Sequence, residues 1–265
     1  MMLGLGLGLN KNNFISSVDP IIDALIKANC TMYLDPNKAD GTSKGINSPL
    51  TNPLTDLIGS NDATLVNFNG TVSSGYDDLT LPNTNVKTFL KADGVDDYGT
   101  IANNASIDPT GTEDFAYCKI FKTIPTNPTS YLLNKSNGST GTMQYGFFVA
   151  SNQSFGSYIG GGFIGLATVG TISDDEIHCI IVKRIGSVLK CEIDGIETYN
   201  AVNTRSLTSG SLVRTNAKPT NAGGTTHDSF SAMYGGAEAF FYNGATGLNE
   251  TDVDDACALL KADYF

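Results

Sequence analysis

The sequence predicts an all-β protein of two packed antiparallel sheets, with a short helix near each end. Only 16% of the 265 residues are charged, while Gly occurs 29 times and Thr and Asn are also abundant. This composition favours strands and turns over long amphipathic helices. From about residue 31 to residue 242, short alternating runs are separated by Gly, Asn, Asp and Pro. That spacing is typical of a β-sandwich, and the chain is long enough for one large domain.

The charge balance limits the class of partner. The chain has 27 acidic and 16 basic residues, for a formal net charge of −11. Such a chain repels phosphate backbones and anionic lipid, so neither nucleic acid nor membrane is expected as a partner. No signal peptide or transmembrane segment is predicted, because Gly interrupts the apolar run at residues 1–9 and no other run is long enough. The five cysteines form no C-x-x-C pair and are expected to be reduced packing residues.

Residues 1–17 read as an extended arm. Gly and Leu alternate before the segment turns polar, which places the leucines on one face of an extended strand. Such a strand cannot form a core of its own. Two interpretations stay open: a docking strand that pairs with a neighbouring subunit, or a frayed terminus.

A short helix is expected directly after the arm. Asp19 is a typical N-cap, Pro20 suits the first helical position, and Asp23 and Lys27 are spaced for an i,i+4 pair. The predicted apolar face consists of Ile21, Ile22, Leu25 and Ile26. The predicted organisation is therefore an arm and helix for docking at residues 1–30 and a sandwich domain at residues 31–265.

The clearest strand pair is a hairpin around Gly186-Ser187. A two-residue turn there places Val182 opposite Cys191, and Asp194-Gly195 reads as a second tight turn. One face is then apolar, and the opposite face is expected to be exposed to solvent. The apolar face comprises Ile180, Val182, Leu189, Cys191 and Ile193, and the opposite face comprises Lys183, Lys190 and Glu192.

A closing helix is predicted after Leu248. Asn249 or Thr251 can cap it, acidic residues occupy its first turn, and Lys261 lies in its last turn. The side chains expected to face inward are Val253, Cys257 and Leu260.

Eight segments that follow one another along the chain lie at residues 33–35, 54–65, 93–98, 112–117, 133–135, 174–183, 191–195 and 244–252. In this order they resemble segments of concanavalin A-like, laminin G-like jelly-roll modules. The resemblance covers roughly residues 30 to 262 and implies two packed antiparallel sheets in a jelly roll. The chain departs from that family in having no Trp at all, at positions that are usually packing residues.

The Gly-Leu repeat resembles the N-terminus of structural proteins of tailed bacteriophages. This resemblance implies a virion protein made in the host cytoplasm, with other virion proteins as partners through residues 1–17. It also implies many copies per particle or a homo-oligomer.

The catalytic candidates are Glu192 and Glu197. The segment 192–197 is similar to the E-x-D-x-x-E signature of retaining glucanases on the same jelly roll, in which two carboxylates lie about 5 Å apart on one continuous strand. A turn at Asp194-Gly195 would instead place the two glutamates on different strands. The sequence therefore favours a protein that is not an enzyme.

Two kinds of binding site remain candidates. Asp93, Asp96 and Asp97, together with Asp77 and Asp78, offer hard oxygen ligands to calcium, although loop aspartates also form Asx turns. No other cofactor is expected. For a sugar, the candidate ligands are Tyr145, Tyr158 and Asn134, the last in a polar loop from 134 to 142, because sugars bind flat aromatic rings and amides.

The leading functional prediction is a non-enzymatic virion protein that displays a lectin-like jelly roll and binds host-surface carbohydrate through many weak sites. One alternative is a purely structural capsid decoration, head-fibre or tail protein without a glycan ligand. Another is a glycan depolymerase that uses Glu192 and Glu197.

Overall fold

The computed structural model describes residues 19–38, 50, 52–71, 73–124, 129–136, 143–150, 152–167, 172, 175–208, 213–215, 217–219, 227–230 and 232–265. The predicted arm at residues 1–17 lies outside the described residues, as does the loop after Ser136. In the described part of the chain, no helix is both long and apolar enough to cross a membrane.

Strands dominate the described chain, and one helix lies near each end. The helices are α1 (Pro20–Lys27) and α2 (Glu250–Ala262). The strands are β1 (Cys30–Leu34), β2 (Ala63–Val66), β3 (Gly75–Thr80), β4 (Val86–Asp93), β5 (Tyr98–Ile101), β6 (Phe115–Thr123), β7 (Thr129–Ser136), β8 (Met143–Ala150), β9 (Phe155–Ile159), β10 (Gly162–Gly165), β11 (Ile177–Ile185), β12 (Val188–Ile193), β13 (Ile196–Val202), β14 (Val213–Thr215), β15 (Ala217–Pro219), β16 (His227–Phe230) and β17 (Ala232–Phe241).

Two antiparallel sheets form a sandwich, which confirms the predicted fold class. The sheet that we call the back sheet has the order β13-β12-β11-β6-β17-β4-β3, with β1 paired to the second half of β17. The front sheet has the order β10-β9-β8-β7-β14-β5-β2. Strands β15 and β16 form a separate two-stranded sheet.

The main core lies between the sheets and is rich in aromatic rings. Tyr117 of the back sheet stacks on Phe147 of the front sheet, with ring centroids 4.7 Å apart. An ion pair is buried in this apolar interior, because Lys119 Nζ lies 2.8 Å from Glu238 Oε2. Lys119 Nζ also lies 3.1 Å from Thr215 Oγ1 of the front sheet. Lys119 and Glu238 face each other directly in the register of β6 and β17.

The hairpin of β11 and β12 has the predicted register. Ile185 pairs with Val188 and Val182 with Cys191, and the side chains of the apolar face lie in the core between the sheets. The prediction that the opposite face is exposed was wrong. Helix α2 packs on that face, and the side chain of Lys183 is only 3% exposed, between Glu250 and Asp254 of that helix.

Both helices begin at the predicted caps. Asp19 Oδ1 accepts a hydrogen bond from the N–H of Ile21, and the Asn249 side chain accepts one from Asp252. Both helices bury their apolar faces against the back sheet in a second core that includes Leu25 and Leu260. The molecule therefore has three layers: helices, back sheet and front sheet. All five cysteines are buried and unbridged, as predicted.

Candidate functional site

A cleft runs along one side of the sandwich, where the edge strands of the two sheets come close. Asn203, Thr204 and Arg205 line it, in the segment that follows β13 and continues to Leu207. The N–H of Asn203 donates to the carbonyl of Ser187 at 2.7 Å, and Leu207 exchanges two backbone hydrogen bonds with Gly111. Arg184 Nη1 donates to the carbonyl of Arg205 at 2.8 Å. These bonds anchor the segment to loops on either side.

One end of the cleft is a polar pocket of about 550 Å³. It lies among the loops at one end of the sandwich, and Thr112, Ser187 and Thr246 contribute hydroxyl groups to its wall. Asp114 holds two of these loops together, because Oδ1 accepts from the N–H of Gly186 at 2.7 Å and Oδ2 from that of Leu248 at 3.2 Å. We call this region the loop pocket.

Glu113 stabilises the opposite wall of the loop pocket. Its Oε2 accepts hydrogen bonds from the hydroxyl of Tyr242 at 2.6 Å and the N–H of Thr110 at 2.7 Å. The Tyr242 hydrogen bond is the main reason why the pKa of Glu113 lies below its usual value. Glu113 is therefore ionised at neutral pH and engaged in structure.

The other end of the cleft is a groove of about 430 Å³ between β10 and β13. Phe163, Tyr199 and Arg205 are among the residues that line it. Phe163 is 57% exposed. Asn203 and Thr204 line both the groove and the loop pocket, so the two cavities form one continuous surface, which we call the edge cleft.

The predicted sugar ligands lie in three different places. Tyr145 is fully buried in the core between the sheets, where its hydroxyl donates to the carbonyl of Ile107 at 3.0 Å. Asn134 is also fully buried and donates from Nδ2 to the carbonyl of Ala217. Tyr158 is half-buried on the outer face of the front sheet, and its ring centroid lies 5.8 Å from that of Phe163. Only Tyr158 is thus adjacent to the edge cleft.

The two catalytic candidates face each other across a tight turn. Asp194 and Gly195 both have positive φ, and Glu192 pairs with Glu197 in the register of β12 and β13. The two carboxylates have different partners: Glu192 Oε1 lies 3.4 Å from Lys183 Nζ, and Glu197 accepts from the Asn200 amide at 3.2 Å. They lie on two strands, whereas the glucanase signature requires one continuous strand.

The structure brings the three main calcium candidates together. One carboxylate oxygen from each of Asp93, Asp96 and Asp97 lies within 4.8 Å of the other two, in the turn between β4 and β5. Asp97 is fully buried; its Oδ2 accepts from the N–H of Asp93 at 2.9 Å, and its Oδ1 has no hydrogen-bond partner. Burial, and then the charges of Asp93 and Asp96, raise the pKa of Asp97.

Carboxylate oxygens are the ligands that calcium prefers, so these three residues fit that ion, which would neutralise their mutual repulsion. Asp77 and Asp78 lie instead on β3. Asp77 Oδ2 is 3.8 Å from Lys91 Nζ, and Asp78 Oδ1 accepts from the Thr88 hydroxyl at 2.7 Å.

The sequence did not indicate the residues that line the groove. Phe163 lies in a short Gly-rich strand, Tyr199 in an edge strand, and Arg205 in an irregular segment. They come together only when β10 of the front sheet approaches β13 of the back sheet. A weak signal was present in the sequence, where two apolar residues, Phe163 and Ile164, stand between Gly162 and Gly165. Large apolar side chains are unusual on an edge strand that faces solvent.

The sequence matches no protein-family model and no curated protein. Its fold is similar to the binding domain of Paraclostridial Mosquitocidal Protein 1 (TM-score 0.57, 13% identity, 91% of this chain and 53% of that chain). It is also similar to Trypanosoma rangeli sialidase in complex with sialic acid (TM-score 0.54, 14% identity, 88% of this chain and 33% of that chain). A third similar structure is domain 4 of AbnA, an arabinanase from Geobacillus stearothermophilus, in complex with arabinotriose (TM-score 0.54, 11% identity, 87% of this chain and 98% of that chain).

The chain spans about half the length of the first of these proteins and a third of the second. At such low identity the matches show the fold alone. That fold is a sandwich of two antiparallel sheets.

Proposed function

We propose that this protein is a non-enzymatic lectin-like module that binds a host-surface glycan in the edge cleft. The single observation that carries the proposal is the composition of this cleft. The exposed Phe163 and the half-buried Tyr199 lie at one end, hydroxyl and amide groups lie at the other, and Asn203 and Thr204 line both. Sugars are bound by stacking on aromatic rings and by hydrogen bonds to such polar groups.

The biological setting of the proposal comes from the resemblances in the sequence. The module belongs to a concanavalin A-like jelly-roll protein of a tailed bacteriophage particle, to which the segment 1–17 attaches it. Many copies on one particle convert a weak site into firm attachment, because the second and later contacts are intramolecular. Fold neighbours support the glycan ligand. Cell entry of botulinum neurotoxin type C, which has a similar fold, depends on interaction with two ganglioside molecules, and AbnA domain 4 was solved in complex with arabinotriose.

The test is binding of the purified chain to an array of bacterial cell-wall and capsular glycans. Phe163→Ala should weaken binding to a positive glycan by about fivefold or more, because one stacked ring contributes ~1 kcal/mol or more. Ile196→Ala is the matched control, since Ile196 is 70% exposed on β13 but does not line the cleft. Absence of any glycan ligand for the folded protein would support the purely structural alternative.

The same preparation distinguishes binding from depolymerisation. We expect no new reducing ends when the protein is incubated with a glycan that it binds. We also expect the Glu192→Gln and Glu197→Gln variants to bind that glycan as the unmodified protein does. Cleavage that either substitution abolishes would instead establish the depolymerase alternative.

A further inference from the structure

Almost all basic side chains that the structure describes are paired. Nine lysines of the described chain have a carboxylate oxygen at 3.8 Å or less. Lys261 donates to the carbonyl of Asp194, Arg184 donates to the carbonyls of Glu113 and Arg205, and Arg214 also has a partner. Arg205 differs from them, because its guanidinium has no hydrogen bond, ion pair or ring contact within the described residues, and only its backbone is bonded.

Arg205 has a fixed backbone and an exposed side chain next to β10. Its N–H donates to Asn203 Oδ1 at 3.2 Å, and its carbonyl accepts from Arg184 Nη1 at 2.8 Å. The guanidinium lies beside Gly162, at the start of β10, so a side chain at position 162 would compete with it for the same space.

The surroundings of this guanidinium suit an anionic ligand with a flat apolar face. Phe163 and Tyr199 lie in the same groove, and Asn203 and Thr204 add an amide and a hydroxyl. Among the described residues no acidic side chain lines the groove, although the chain as a whole carries a formal charge of −11. An anion drawn into the groove thus meets an uncompensated cation.

We propose that the ligand of the edge cleft is an acidic sugar, whose carboxylate is bound by Arg205 and whose ring packs against Tyr199. This inference rests on the proposed glycan-binding function and narrows it. Guanidinium and carboxylate have matching planar geometry and form two parallel hydrogen bonds, which a neutral hydroxyl cannot reproduce. The shared chemistry is a carboxylate on a pyranose ring, as in uronic acids and in 2-keto sugar acids.

The test compares acidic oligosaccharides with their carboxyl-reduced counterparts on the full chain. The probes are a glucuronate-containing oligosaccharide and sialyllactose, which separate the two sources of carboxylate. We expect at least one acidic probe to bind about tenfold or more tightly than its reduced form, and this preference to fall with rising ionic strength. Arg205→Gln should remove the preference, and Arg205→Lys should restore only part of it.

Two further variants separate the local role of Arg205 from its charge. Gly162→Ala leaves the net charge unchanged but displaces the guanidinium, so it should also reduce the preference. Lys27→Gln changes the net charge by the same amount as Arg205→Gln, at a side chain that is 68% exposed on α1, and should leave the preference unchanged.

Three outcomes would overturn the inference. Equal binding of acidic and reduced probes would overturn it and leave the proposed function standing, provided that Phe163→Ala still weakens glycan binding. A preference that survives Arg205→Gln would place the carboxylate elsewhere. Absence of binding to any glycan would overturn both proposals together. Thermal unfolding of each variant verifies that it is folded.

Discussion

Asp56 shows how a single carboxylate organises a long irregular segment. Its Oδ1 accepts hydrogen bonds from the N–H groups of Tyr33, Ile58 and Gly59 at 2.9, 3.1 and 3.0 Å, and its Oδ2 accepts from Asn61 at 2.9 Å. The side chain is only 6% exposed. It therefore ties the loop before β2 to the first strand of the back sheet.

We predict that Asp56→Ala lowers the free energy of unfolding by about 3 kcal/mol or more, because four backbone donors lose a charged partner and some stay buried. Urea denaturation measures this difference. Asp62→Ala is the matched control, since Asp62 Oδ1 accepts one N–H, that of Asp56, in the same loop. The prediction would be contradicted if Asp56→Ala lowered the free energy of unfolding no more than Asp62→Ala does.

Residues with local roles were predictable from the sequence, and those with distant partners were not. Asp19 and Asn249 cap helices two and three positions ahead, so the sequence alone identifies them. Asp56 binds residues on both sides of it, including a strand that precedes it by more than twenty positions. Tyr145 was proposed as a ligand because its ring is aromatic, but alternation along β8 does not reveal which face of the strand meets the core.

At the scale of elements, short hairpins were the most predictable part of the fold. Turn chemistry at Gly186-Ser187 and Asp194-Gly195 sets the register of three consecutive strands, and the structure has that register. What covers the outer face of this hairpin depends on α2, which is about 50 residues further along the chain. The edge cleft could not be predicted for the same reason, because it joins β10, β13 and a loop.

The turn between β4 and β5 carries the prediction for calcium. We expect about 1 mM calcium, added to chelator-treated protein, to raise the Tm by about 3 °C or more, since the ion binds only the folded arrangement of Asp93, Asp96 and Asp97. Scanning calorimetry measures the shift.

Two controls accompany the calcium experiment. Asp97→Asn should abolish the shift, and Asp77→Asn, outside the cluster on β3, should retain it. An equal shift with magnesium, or one that persists in Asp97→Asn, would show that the cluster does not bind calcium specifically.

At the scale of the whole molecule, α1 belongs to the body of the fold. Ile21, Leu25 and Ala28 are buried in the core between helices and back sheet, and Lys27 Nζ lies 2.7 Å from Asp252 of α2. A boundary at residue 30, which the sequence suggested, would cut through this core. Removal of the arm alone and removal of the arm together with α1 should therefore have different effects on the stability of the fold.

We predict that deletion of residues 1–18 changes the Tm by less than about 2 °C, whereas deletion of residues 1–30 lowers it by about 10 °C or more. The second deletion removes several buried apolar side chains, each of which contributes ~1.5 to 3 kcal/mol. Thermal unfolding followed by circular dichroism measures both variants. Equal stability of the two would show that α1 contributes little to the fold.

The shorter deletion also tests the proposed attachment to a particle. If residues 1–17 dock the protein, the chain without residues 1–18 stays folded and binds glycan but is not incorporated into particles. Normal incorporation of this variant would assign docking to another surface.

The ion pair of Lys119 and Glu238 restricts how the back sheet can assemble. Each charge lies opposite the other only in the native alignment of β6 and β17. If β6 slipped by two residues during folding, which keeps each side chain on the same face, both charges would lie in the apolar interior without each other, at a cost of several kcal/mol. Because a sheet of alternating apolar residues tolerates many near-equivalent alignments, this pair acts mainly on the misaligned states, which it makes too unfavourable to persist.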